Sequence, residues 1–422
     1  MATVAGVGSA VPATARESTG TVQWRFETDD AVESSPTVVD GTAYVGSWDG
    51  AVYAVDAASG EEAWRVETSG PVRSSPTVAD DTVFVGTNGG AVLAVDAASG
   101  EEAWSVETDD VVDASPTVAN GTVFAGSYDT HLYALESATG EERWRFETGD
   151  WILSSPTVAD DTVYVGSDDN HVYAIDSESG EEAWRVETDD VVESSPTVAD
   201  GTVYVGSDDS NVYAIDTRSG DEAWRVETDG PIRSSPTVAD GTVFVGSLDG
   251  NAYAIDAESD EVVWRFETDS FVESSPTVAD DTVYVGSYDA NVYAIDAKSG
   301  DEAWRIETGD YVISSPTVVD GTLFVGSHDH DLYAVDVGDA SSDCSRVLLG
   351  TLGHHGEPHG STDDASNGTK SDETSDDDAG TGDDRENETP ADDESDTDDE
   401  DGADGLSGPG IVGSLLGLGG AS

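Results

Sequence analysis

Positive charge is what this chain of 422 residues has least of. Lys298 and Lys370 are its only lysines, and 16 Lys and Arg stand against 90 Asp and Glu, a formal net charge of −74. Such a surface repels nucleic acid and anionic membrane, so neither is an expected partner. Self-repulsion on this scale calls for screening, and at roughly 1 M salt the Debye length shrinks to about 3 Å. The charge therefore reads as solvation rather than as a ligand signal. Cysteine is nearly absent too. With Cys344 alone, no internal disulfide and no cysteine-based zinc or iron–sulfur site can form. No segment carries a 3.6-residue apolar period, which excludes helical repeat architectures.

What the chain does have is a strict repeat. Trp24, Trp64, Trp104, Trp144, Trp184, Trp224, Trp264 and Trp304 fall 40 residues apart, and Ser-Pro-Thr-Val recurs at the same interval. A fixed period of this length marks a repeat fold. Each copy reads as four short strands. In the second copy they are Ser74–Val78, Thr82–Val85, Ala91–Val95 and Glu102–Thr108, separated by turns rich in Gly, Asp and Asn. The second and third strands are apolar at consecutive positions, a sign of burial on both faces. Val22–Thr28 is a fourth strand with no blade before it, and Asp331–Val335 is a third strand with no tryptophan strand after it. The two ends predict a ring of eight blades over residues 17–336, an all-β propeller closed by its own N-terminal strand, which leaves no sticky edge.

Segments such as Ala174-Ile175-Asp176…Ser179-Gly180-Glu181…Trp184 resemble the tryptophan-docking motif of pyrroloquinoline-quinone-like propellers. That family includes quinone-dependent alcohol dehydrogenases and a lipoprotein of the bacterial outer-membrane assembly machine. The resemblance implies that each tryptophan packs between blades on a glycine turn: Gly60, Gly100, Gly140, Gly180, Gly220 and Gly300. Asp260 replaces the glycine once, and a looser junction is expected there. The Asp repeated in the second turn (Asp49, Asp129, Asp169, Asp209, Asp249, Asp289, Asp329) is expected to bind its own turn backbone rather than calcium.

The ends differ from the repeat. Residues 1–16 are small and apolar and resemble a signal-peptide end. Residues 337–360 are a linker in which His354, His355 and His359 are weak candidates for metal ligands. Residues 361–404 hold 20 acidic and 2 basic residues, the composition of a disordered spacer. Residues 405–422 are rich in Gly and Leu and resemble a truncated haloarchaeal sorting signal, though too short to span a bilayer. With the acidic, lysine-poor surface, these features point to a halophile's protein at the cell surface or outside the cell, with a cytoplasmic location as the alternative. A membrane enters only through a C-terminal anchor.

Eight copies in one chain also separate what the fold holds constant from what is free to vary. The first-to-second and third-to-fourth turns are nearly uniform and share one face of the disc. On the opposite face the copies diverge. The variable loop residue is Trp48, Asn88, Tyr128, Asp168, Asp208, Leu248, Tyr288 or His328. The segments leading into the first strands begin at Ala31, Pro71, Val111, Trp151, Val191, Pro231, Phe271 and Tyr311, and their third residues run Glu33, Arg73, Asp113, Leu153, Glu193, Arg233, Glu273, Ile313. That series repeats every four blades, so the ring reads as a duplicated half. These residues should surround one mouth of the axial channel. Two readings compete. In one, Glu33–Arg73–Asp113 and Glu193–Arg233–Glu273 are ion-paired clusters that brace the ring. In the other, the arginines offer donors to an anionic or planar ligand, and Trp151, Phe271 and Tyr311 form stacking walls.

The expected function is a non-catalytic module, a monomer binding a protein, peptide or small ligand on the variable face, with no cofactor. The first alternative is a quinone-dependent dehydrogenase using pyrroloquinoline quinone and calcium. The family's adjacent-cysteine disulfide cannot form here, and the minimal turns supply no lid. The second alternative is a scaffold for protein assembly in the cell envelope.

Overall fold

Strands apolar on both sides need protein against both faces. The computed structural model, which describes residues 20–338, provides it with eight four-stranded antiparallel sheets set around a common axis. Blade 1 consists of Thr37–Val39, Thr42–Gly46, Ala51–Asp56 and Glu62–Glu67, from axis to rim. Blades 2 to 8 start at Thr77, Thr117, Thr157, Thr197, Thr237, Thr277 and Thr317. The ring closes as the repeat demands. Thr21–Glu27 pairs antiparallel with Asp331–Asp336, placing Trp24 opposite Ala334 and Phe26 opposite Leu332, and so completes blade 8.

The innermost strand is shorter than expected. It begins at Thr77, not Ser74, and ends at Ala79, one residue past the expected Val78. Pro76 has no N–H to give a ladder, and the Ser75 N–H is directed to Ser115 Oγ of the next blade at 2.9 Å. The same bond repeats around the axis until Ser315 N–H reaches Ser35 Oγ at 3.0 Å. A second closed circuit runs beside it, in which each threonine hydroxyl donates to the next blade's proline carbonyl, from Thr37 to Pro76 and finally Thr317 to Pro36, both at 2.6 Å. The constant Ser-Pro-Thr thus ties neighbouring blades at the axis, a role that the strand pattern alone did not disclose.

There is one apolar core per blade junction. Tyr44, Val52 and Ala54 of blade 1 pack on Val72, Val83 and Val85 of blade 2, and Phe324, Leu332 and Ala334 of blade 8 pack on Val32, Val38 and Val45 of blade 1. Close approach is enforced by a glycine at the end of each second strand. A Cβ on Gly46 would lie 2.4 Å from Val72 Cγ1. This contact pins the middle residue of the lead-in segment, and chain alternation then turns the next residue, here Arg73, toward the axis.

The tryptophans dock as the resemblance implies. Trp64 Nε1 donates to Ala97 O at 2.9 Å, and its ring lies against Gly100, whose φ of +71° suits glycine. The glycine beneath Trp304 is Gly20, the seventh of the set and part of the closing strand's approach. Asp260 does not loosen its junction at the dock. It adopts φ +57°, a conformation aspartate tolerates, and Trp224 Nε1 still reaches Ala257 O at 3.0 Å. Residues 1–16, the acidic segment 361–404, the Gly/Leu end 405–422 and His354, His355 and His359 lie outside the described residues.

Candidate binding face at the mouth of the channel

The cavity on the ring axis, about 360 Å³, is lined by the same two repeat positions from all eight blades. One is the serine circuit from Ser35 to Ser315. The other is the variable series Glu33, Arg73, Asp113, Leu153, Glu193, Arg233, Glu273 and Ile313. The eight residues of the variable series thus meet around one cavity. The loops carrying Trp48 through His328 lie on the same face, since Trp48 N–H bonds Ala31 O at 2.9 Å and Tyr128 N–H bonds Val111 O at 2.9 Å.

The repeated aspartates hold this face in shape. Asp49 Oδ1 accepts from Ala51 N–H, while Oδ2 accepts from Asp29 N–H and from the Tyr53 hydroxyl at 2.7 Å. Burial and that carboxylate push the Tyr53 hydroxyl far above its ordinary range. The exception confirms the pairing. Where Gly89 replaces the aspartate, Leu93 replaces the tyrosine.

Arg73 is the centre of one network. Its Nε donates to Glu33 Oε2 at 2.7 Å and its Nη1 to Asp113 Oδ2 at 2.8 Å, and its guanidinium lies 5.5 Å from the Trp48 ring centroid. Both carboxylates are deeply set, with side chains 7% and 9% exposed. The acidic halves of these pairs are thus largely withdrawn from water, while Arg73 itself stays partly exposed. Glu33 also meets His328 Nε2 at 2.6 Å. Although burial opposes it, the His328 and Arg73 contacts hold the Glu33 carboxyl below its usual range. Asp113 takes a further bond from the Tyr128 hydroxyl at 2.7 Å.

Arg233 behaves differently from its counterpart. It grips Asp208 with two prongs, Nε at 3.1 Å and Nη2 at 2.7 Å, and touches Glu193 through Nη1 at 3.2 Å. Glu273, expected as its partner, instead accepts the Tyr288 hydroxyl at 2.5 Å. In the sequence Asp208 stands out only as a variable loop residue; its reach to the next blade's arginine shows only in the fold. Both arginines are thus engaged with carboxylates, which is the bracing arrangement rather than an open anion cradle.

The aromatic residues form two matching stacks. Tyr128 and Trp151 lie nearly parallel at 4.8 Å, and Tyr288 and Tyr311 at 4.9 Å. Phe271 meets Tyr288 edge-on, and Tyr311 carries His328 on its ring at 4.1 Å. Trp48, Trp151 and Phe271 remain 37%, 47% and 49% exposed, all on this face. Three side-chain oxygens here, Asn88 Oδ1, Asp113 Oδ1 and Asp168 Oδ1, are buried without a hydrogen-bond partner. Among the described residues no group of three His, Cys, Asp or Glu side chains converges as metal ligands would.

Comparison with known proteins places the fold. The repeat family described as outer membrane protein assembly factor BamB matches residues 8–111, 89–208, 172–271 and 248–348. The crystal structure of BamB from Moraxella catarrhalis superposes with a TM-score of 0.67 at 20% identity, covering 75% of this chain and 100% of that one. The computationally designed protein Ika8 superposes with a TM-score of 0.68 at 14% identity, covering 75% of this chain and 98% of that one. Among curated proteins, none matches the chain.

Proposed function

The chain belongs to the family of the outer membrane protein assembly factor BamB, and on that premise we propose that it is a non-catalytic interaction module that holds a partner protein on the mouth face of its ring. One observation carries the reading. Of the large apolar side chains exposed among the described residues, the three aromatic ones, Trp48, Trp151 and Phe271, all stand on the variable face. Exposed aromatics around a polar, well-braced centre suit protein recognition, in which a few such side chains dominate the binding energy. The acidic, lysine-poor surface and the secretion-like ends of the chain support a setting in the envelope or at the surface of a halophile, with a role in holding or assembling other proteins there.

The test is capture of partners from a high-salt envelope extract by the full chain. Wild type is compared with Trp151→Ala/Phe271→Ala and with Val262→Ala/Val263→Ala, which alters exposed apolar side chains on a rim strand. Loss of the same partner with the first variant alone is expected. Unchanged recovery with the first variant would overturn the assignment of the face.

A further inference from the structure

The repeat places one loop residue over each blade junction, between the mouth residue of its own blade and that of the next. At the junction of blades 8 and 1 this residue is His328, stacked on Tyr311 and bonded to Glu33. Four blades away the same three positions hold Asp168, Trp151 and Glu193. Asp168 has Leu153, which has no donor, on its own blade and Glu193 on the next, and no hydrogen bond reaches its Oδ1 from either. Its Oδ1 is buried and unpartnered. Asp113 Oδ1, on a side chain more than nine-tenths buried, is unpartnered one blade earlier, and the Tyr128 hydroxyl links that carboxylate to the Trp151 stack. Trp151 has Tyr128 on one side and is otherwise half exposed.

We propose that the junction of blades 4 and 5 receives the guanidinium group of an arginine side chain from the partner protein, stacked on Trp151 and hydrogen-bonded by Asp168 and Glu193. This rests on the mouth being the partner face. The ring already displays the chemistry with its own residues. Arg73 bridges two carboxylates beside Trp48, and His328 stacks on Tyr311 at an inclination of 30° while bonding Glu33. Blades 4 and 5 supply the carboxylates and the aromatic ring, but position 153 carries leucine where blades 2 and 6 carry arginine. A planar cation with several donors fits better than a compact metal ion, for which no three ligands converge among the described residues. A second copy of this chain, with 90 acidic residues against 16 basic, is poorly suited to be the donor. Electrostatics agree. Burial, reinforced by Asp208, Asp168 and Glu273 against the pull of Arg233, raises Glu193 to about 7. Burial with Asp150, Asp208 and Asp169, again against Arg233, raises Asp168 to about 6. Arg233, already gripped by Asp208, is the one nearby cation and does not hold either carboxyl at its ordinary value.

The probe is a fluorescein-labelled tetra-arginine peptide, with tetra-lysine beside it, titrated onto the full chain at about 1 M salt to screen long-range attraction. Asp168→Asn/Glu193→Gln is compared with Asp80→Asn/Asp160→Asn, an equal charge change in exposed turns of the opposite face. The mouth variant should weaken tetra-arginine binding about tenfold, and the turn variant less than about twofold. Asp168→His, which copies the 8/1 junction, should abolish the difference between arginine and lysine. Equal losses in the two double variants, no loss in the mouth variant, or equal binding of the two peptides by wild type would each overturn the proposal. Partner capture separates this from the broader reading. If capture depends on Trp151 and Phe271 but survives Asp168→Asn/Glu193→Gln, the face stands and the guanidinium site falls. If neither variant affects capture, both fall.

Discussion

The junction of blades 8 and 1 and the junction of blades 4 and 5 are assembled from corresponding repeat positions, yet their buried acids are driven in opposite directions. Each has a glutamate at the mouth, an aromatic residue stacked on a tyrosine, and a glycine pressed against the lead-in valine. Glu33 sits between His328 and Arg73 and is held below its ordinary range, whereas Glu193 sits between Asp168 and an arginine already gripped by Asp208 and rises to about 7. The framework fixes where a side chain points. Two loop residues decide how far the acid is compensated: histidine or aspartate beside the glutamate, and Trp48 or Asp208 beside its arginine.

The largest expected effects should be equal at the two junctions, because the framework is the same. A Cβ on Gly166 or on Gly326 would lie 2.4 Å from the Cγ1 of Val192 or Val32. Gly166→Ala and Gly326→Ala should each cost about 3 kcal/mol in equilibrium unfolding. A large difference between them would mean that the junctions differ below the mouth as well. Next in size is the contrast between the acids. Glu33→Gln, which deprives both Arg73 and His328 of a charged acceptor, should destabilise by about 2 kcal/mol, and Glu193→Gln by about 0. Equal losses would erase the comparison.

A smaller change should convert one junction into the other. Asp168→His is expected to stabilise the ring by about 1 kcal/mol by giving Glu193 a stacked donor like His328, as thermal unfolding at high salt would record. Destabilisation would show that Trp151 cannot seat an imidazole as Tyr311 does. The remaining contrast concerns pH. Glu193 and Asp168 bind protons more tightly in the folded ring than in the unfolded chain. Their contribution therefore falls as pH rises from about 4 to about 7, and acidification from about 8 to about 5 favours the fold at this junction. Glu33 acts in the opposite sense. Its contribution is present above the unfolded value of 4.5 and is lost only as pH falls below it. Glu193→Gln should flatten the pH dependence of unfolding between about 5 and 8, and a variant as pH-sensitive as wild type would count against the account.

The repeat made the architecture legible from the residues alone. Tryptophan spacing gave the number of blades, the unmatched first and last strands gave the closure, and variation among copies picked out the mouth face. What stayed hidden depended on three-dimensional reach. Serines at a constant position look like strand residues until the prolines beside them are seen to free their N–H groups for the next blade. Gly20 could not be assigned to Trp304 because it precedes the first tryptophan and serves the last. The partner of Arg233 was misplaced because a series of mouth residues suggests neighbours along that series, whereas the guanidinium is long enough to reach Asp208 on the previous blade's loop. The same limit concealed Asp168, whose isolation shows only when Leu153 and Glu193 are placed on either side of it.

The central claim, that equivalent glutamates are fully compensated at one junction and only partly at the other, is tested most directly by following the side-chain carboxyl resonances of Glu33 and Glu193 through a pH titration by nuclear magnetic resonance. Glu33 should titrate below its ordinary value of 4.5 and Glu193 near 7. Two glutamates titrating together near 4.5 would contradict it.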